Sequence, residues 1–131
     1  MINFLYVLIL YVRQNHISNK ENVMSREIVE NYFEAFSGKS LEILEKIYHP
    51  EIQLEDWVLE TQGIESVLIE NDKIFCEFKN IWVDVKNIYE CKGNIYFCIL
   101  DIVLDDESIK VVDIIEVKEN RIKKISAYRQ F

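Results

Sequence analysis

Glycine and proline are nearly missing from this chain, with three Gly and one Pro in 131 residues. That scarcity excludes a loop-rich scaffold and predicts long regular elements. Histidine is as rare, with only His16 and His49, so a histidine-rich metal site is excluded and neither a metal nor a cofactor is expected. Cysteine is limited to Cys76, Cys91 and Cys98, an odd number without metal-ligand spacing. They read as reduced packing residues of a cytoplasmic protein. Positive charge is short too: 15 Lys and Arg face 23 Asp and Glu, a formal net charge of −8. Nucleic acids and anionic membranes are held by concentrated Lys and Arg, so neither is expected as a partner.

What is present is hydrocarbon. Half of the residues are hydrophobic, enough to bury a core in one domain and too few in total for two domains. Residues 1–12, MINFLYVLILYV, are apolar but too short to span a bilayer unaided, and they lack the basic start and small-residue cleavage site of a secretory signal. Three readings stand: an extension outside the fold, an ordered element packed on the domain, or a membrane anchor. A polar linker follows from Arg13, and Met24 offers a second start. We therefore expect residues 1–24 to be an extension and linker and residues 25–131 to be the domain.

Within that domain, Ile28, Val29, Tyr32, Phe33 and Phe36 recur at helical spacing and Gly38 follows the run. Ser18 and Glu21 make a capping-box pattern that would start this helix earlier. Ser40 caps a second, shorter helix with Leu41, Leu44, Ile47 and Tyr48 on one face, predicted to stop before Pro50 with His49 at its end. Ile52, Leu54 and Asp56 then alternate as a short strand, and after Gly63 the series Ile64, Val67, Leu68, Asn71, Ile74 and Phe75 predicts a third helix. Four β-rich runs follow, at 81–90, 94–104, 109–118 and 121–130, joined by short turns that force an antiparallel meander. The acidic turn of Asp105, Asp106 and Glu107 reads as a solvated hairpin. The fold class is α+β, with three helices in the concavity of a curved, mostly antiparallel sheet.

One residue breaks the pattern of the strands. In IKVVDIIEVK, a period of two puts Asp113 on the same face as Ile109, Val111, Ile115 and Val117. A buried carboxylate must be paired, hydrogen-bonded or neutral, so Asp113 is either a satisfied structural residue or a working one. Both faces of the middle strands are apolar, and the helices can cover only one. A homodimer through the sheet would cover the other; the apolar N-terminal segment is the alternative.

The order of elements, with IVENYFEAFSGKSLEILEKIYHPEIQLED in the first half and VVDIIEVKENRIKKISAY near the end, resembles the SnoaL-like branch of the nuclear transport factor 2-like superfamily, which contains ketosteroid isomerases and polyketide cyclases. The resemblance implies a cone-shaped domain with an apolar small-molecule pocket, and commonly a dimer through the sheet. It carries the ketosteroid isomerase site onto Tyr32 of the first helix, Asp56 at the end of the short strand, and Asp113 of the penultimate strand. The implied chemistry is proton abstraction beside a carbonyl by an ionised aspartate, with the oxyanion held by a tyrosine hydroxyl and a neutral carboxylic acid, the arrangement that ketosteroid isomerase exemplifies. Phe36, Phe75, Trp57 and Arg129 would line the substrate pocket.

Two positions depart from the family pattern. Trp57 replaces a proline after the base, and Arg129 replaces an aromatic residue of the steroid cavity. A guanidinium there either suits an anionic or polar ligand or pairs with Asp113 or Asp56. Two functions remain open: a cofactor-free acid-base enzyme acting on a carbonyl-bearing metabolite, and a non-catalytic ligand-binding or dimerisation module of the same fold.

Overall fold

The computed structural model describes residues 19–131; the expectations for the apolar opening segment and for a cap at Ser18 lie outside the described residues. Three helices, α1 (Asn19–Ser37), α2 (Leu41–Ile47) and α3 (Ile64–Glu77), accompany six strands: β1 (Tyr48–Glu55), β2 (Glu60–Gln62), β3 (Ile81–Cys91), β4 (Ile95–Leu104), β5 (Glu107–Lys118) and β6 (Arg121–Gln130). The strands form one sheet in the order β2-β1-β6-β5-β4-β3. Its last four strands are the expected antiparallel meander. Strand β1 lies parallel to β6, which makes the sheet mixed.

Helix α1 is described from Asn19, so the end of the polar stretch expected as linker is helical. Val29, Tyr32 and Phe33 are buried on one side of it, against β3 and β6. Past its end Lys39 takes the left-handed conformation with φ 55°, and its ammonium donates to the carbonyls of Phe75 and Phe78, tying this corner to the end of α3. Ser40 caps α2 as expected, accepting from the Ile43 N–H at 3.2 Å.

The second helix is one residue shorter than the periodicity predicts. Tyr48 opens β1, and Pro50 lies inside that strand rather than beyond a helix end. Helix and strand meet without a loop here, so Tyr48 is turned into the core by the strand that follows, and its inward direction imitates another helical turn. His49 does not cap α2; its Nδ1 accepts from the Glu51 N–H at 3.1 Å and its Nε2 lies 3.6 Å from a Glu119 carboxylate oxygen. Asp105, expected to be merely solvated, accepts from the N–H of Asn80 at 2.7 Å and so fastens the entry to β3.

The helices bury the inner face of the sheet. Val83, Tyr96, Cys98, Leu100, Val111, Ile115 and Ile125 meet Val29, Tyr32, Phe33, Leu44, Val67 and Phe75 in one core. Burying apolar surface at about 25 cal/mol per Å² makes this cluster the main source of stability.

Candidate functional site

The alternation of β5 puts Asp113 in that core. Its neighbours across the ladder are Cys98 on β4 and Ala127 on β6, and it is only 6% exposed. Its carboxyl makes none of the hydrogen bonds found among the described residues, nor any of their ion pairs. Burial lifts its pKa from the ordinary carboxylate range to about 7, and the negative charge of Asp56 adds to the lift. Near neutrality about half of the Asp113 carboxyls therefore hold a proton that they can donate.

Tyr32 reaches the same region from α1. It is buried, and its ring lies 6.2 Å from that of Tyr48 and 6.0 Å from that of Phe36. Burial raises its pKa well above 10, with Tyr48, Asp113, Cys98 and Asp56 adding to the rise. A phenol so placed stays protonated and can only donate or accept a hydrogen bond. The thiol of Cys98 is likewise held neutral, by burial first and by the charge of Asp113 second.

Asp56 is half-buried, just past the end of β1, and its side chain is committed on one side. Oδ1 accepts from the N–H groups of Val58 at 2.7 Å and Leu59 at 2.9 Å, and the Asp56 N–H donates to the Leu59 carbonyl at 2.9 Å. These bonds lock the turn from β1 into β2 as an Asx-type turn. The carboxylate is thus oriented by backbone, with no hydrogen bond found at Oδ2 among the described residues.

The expected pocket residues fall into two pairs. Phe36 and Phe75 meet edge to face with centroids 5.0 Å apart, beside Tyr32. Trp57 and Arg129 meet at the Asp56 end, the guanidinium carbon 6.0 Å from the indole centroid and 4.8 Å from the ring of Phe131. Arg129 forms no ion pair with Asp113 or Asp56, so one of the two alternatives left open by the sequence is removed. Two open hollows lie elsewhere: a cleft of about 330 Å³ between β1, β2 and Lys124, and a groove of about 570 Å³ between α1 and β3. Neither is lined by Tyr32, Asp56 or Asp113. Among the described residues no group of three or more His, Cys, Asp and Glu is placed to hold a metal ion, and no helix is long and apolar enough to cross a membrane.

Two neighbours of the site escaped the sequence reading. The Tyr48 hydroxyl donates to Oδ1 of Asn71 at 2.7 Å, and both residues are buried. The signal was a polar Asn71 on the apolar stripe of α3, where an amide must find a partner.

The sequence matches no family model, and no curated protein matches it. Solved structures do resemble the fold. An NTF2-like protein of unknown function from Mesorhizobium loti superposes with a TM-score of 0.74 at 15% identity, over 88% of this chain and 98% of that one. A candidate ketosteroid isomerase from Kribbella flavida gives a TM-score of 0.72 at 16% identity, over 82% of this chain and 78% of that one. An LEH-like epoxide hydrolase of M. tuberculosis gives 0.69 at 12% identity, over 84% and 85%. With three helices against the inner face of a six-stranded mixed sheet, the chain has the α+β cone fold of the nuclear transport factor 2-like and SnoaL-like proteins.

Proposed function

We propose that the protein is a cofactor-free acid-base enzyme, an isomerase or cyclase acting on a small carbonyl-bearing metabolite. The observation that carries this reading is Asp113: a buried carboxyl, without a hydrogen-bond partner among the described residues, whose pKa of about 7 keeps a proton available. In the proposed reaction the substrate carbonyl oxygen accepts from the Tyr32 hydroxyl and the protonated Asp113. Asp56 takes a proton from the neighbouring carbon, the C–H electron pair forms a C=C bond, and the carbonyl π pair moves onto oxygen. Collapse of that enolate returns the proton from Asp56 at another carbon; in a cyclisation the enolate carbon instead attacks a second carbonyl carbon of the same molecule, whose π pair moves onto its oxygen and takes the proton from Asp56. Two donors in a desolvated site stabilise the oxyanion far better than water does. The enzyme descriptions of two solved relatives support the reading by analogy of fold.

A second reading draws on Asp56. Its two backbone hydrogen bonds fully explain its presence as a turn-former, which favours a non-catalytic ligand-binding module. We also propose a homodimer through the outer sheet face, where Trp82, Ile99 and Tyr128 are 62%, 37% and 56% exposed.

Carboxyl NMR on ¹³C-labelled protein tests the central claim. Asp113 is expected to titrate near neutrality. A midpoint in the ordinary aspartate range removes the neutral-acid donor and with it the proposed mechanism.

A further inference from the structure

Arg129 is a cation without a counter-charge among the described residues. It shares the inner face of β6 with Ala127 and pairs with Val111 of β5. That makes it the diagonal neighbour of Asp113, with backbones about 7–8 Å apart. No carboxylate lies within ion-pair distance of it among the described residues, although acidic side chains outnumber basic ones in the chain. Its Nε is closed off from solvent and reaches no acceptor. A buried donor left unmet is costly, and a charged one more so. It makes no ion pair with Asp113; its guanidinium lies over the rings of Trp57 and Phe131.

Rings beside a guanidinium restrict its faces and leave its edge for recognition. The edge of a planar fork matches two coplanar oxygens, as a carboxylate offers them. Trp57 follows Asp56 directly in the chain, so this edge lies at the same end of the site as the proposed base. A dianionic group is disfavoured there by Asp56 and by the acidic hairpin that holds Glu55 and Glu60. A single negative charge is the better fit.

We infer that the metabolite bound here is a carboxylic acid, its carboxylate held by Arg129 and its carbonyl a few bonds away toward Tyr32 and Asp113. The inference rests on the acid-base reading for the second half of that statement, and on Arg129 alone for the first. A ligand lacking the carboxylate leaves the guanidinium uncompensated. Specificity for the acid over its neutral isostere follows from that loss.

The test uses matched probes: benzoate, 3-phenylpropionate and 2-naphthoate against their amides, which keep the shape and remove the charge. The chain has two tryptophans, and a Trp82→Phe background leaves Trp57, 6.0 Å from the guanidinium, as the fluorescent reporter. At least one acid is expected to bind about tenfold to a hundredfold more tightly than its amide, the range of a charge-assisted hydrogen bond. Arg129→Gln should abolish that preference, and Arg129→Lys should keep part of it, with folding of both checked by thermal unfolding. If no acid binds better than its amide, or if Arg129→Gln binds as the parent does, the inference is wrong. Tighter binding of phenyl phosphate than of benzoate overturns the choice of carboxylate. Benzoate binding and the Asp113 titration are read separately, so a failure of the acid-base chemistry and a failure of the anion site give different results.

Discussion

Tyr48 donates its hydroxyl proton to Oδ1 of Asn71 at 2.7 Å, joining the first residue of β1 to the buried stripe of α3. Tyr48 is fully buried, and burial raises its pKa far above that of a free tyrosine, with the charge of Asp113 adding to the rise. The bond therefore joins two neutral groups, and the Tyr48 ring lies beside that of Tyr32. Tyr48→Phe keeps the ring but leaves the Asn71 amide oxygen unmet. Urea unfolding should show a loss of about 1–3 kcal/mol, the usual cost of orphaning a buried polar group. Asn71→Leu in the Tyr48→Phe background should restore part of that loss, because the orphaned amide is gone.

The same pair marks where sequence legibility ends. Helices α1 and α3 and the four-strand meander were readable because each keeps one period over ten or more residues, and Asp113 stood out against that period. Tyr48 was read as helical because four residues past Leu44 an inward aromatic fits either element. Strand β2 was missed: Glu60, Thr61 and Gln62 carry no apolar alternation and pair only with the edge of β1. The parallel pairing of β1 with β6 joins segments far apart in the chain, and no local pattern encodes it. Asp56 was picked out because it ends an apolar alternation, and its charge adds to the pKa rises of both Asp113 and Tyr32. Its hydrogen bonds to Val58 and Leu59 could not be read from alternation, since they depend on the chain reversing at Trp57.

Asp113 should also make stability fall with rising pH. Its folded pKa of about 7 lies above the ordinary value of 3.8, so between those values the native state holds a proton that the unfolded chain has released. The contribution is complete below the unfolded pKa and lost as pH rises through the folded one, at no more than about 1.4 kcal/mol per pH unit. Asp113→Asn removes the titration. The variant should therefore gain on the parent steadily from pH 4.5 to 7, measured as the difference in unfolding free energy, and the difference should then level off. A difference that stays flat over that window means that Asp113 titrates alike in both states.

The outer sheet face carries a row of side chains across three strands, Ile99 beside Val112 and Val112 beside Tyr128. The charges of Asp84, Lys86, Asp101 and Lys110 neutralise one another on the same face. An apolar row beside compensated charges has the character of a dimer core. Sedimentation at micromolar concentration should give a dimer for the parent and a monomer for Val112→Asp, which buries a charge in the centre of the row. A monomeric parent would refute the proposed dimer.

Asp56 separates the enzyme reading from the binding-module reading, because its two oxygens do different things. Oδ1 holds the β1–β2 turn through Val58 and Leu59, and a neutral amide oxygen can do the same. Asp56→Asn should therefore fold with little loss of stability, whereas Asp56→Ala, which removes the acceptor, should lose about 1 kcal/mol, as the loss of a helix cap does. The amide cannot take a proton. Turnover of any identified substrate should consequently drop in Asp56→Asn by 10²-fold or more, within about the range that general base catalysis contributes. Removing the charge should also lower the Asp113 midpoint without returning it to the ordinary range, since burial is the larger cause and stays. If Asp56→Asn turns over substrate as the parent does while Asp56→Ala is destabilised, Asp56 is a turn residue alone. The base must then be sought elsewhere, or the site only binds.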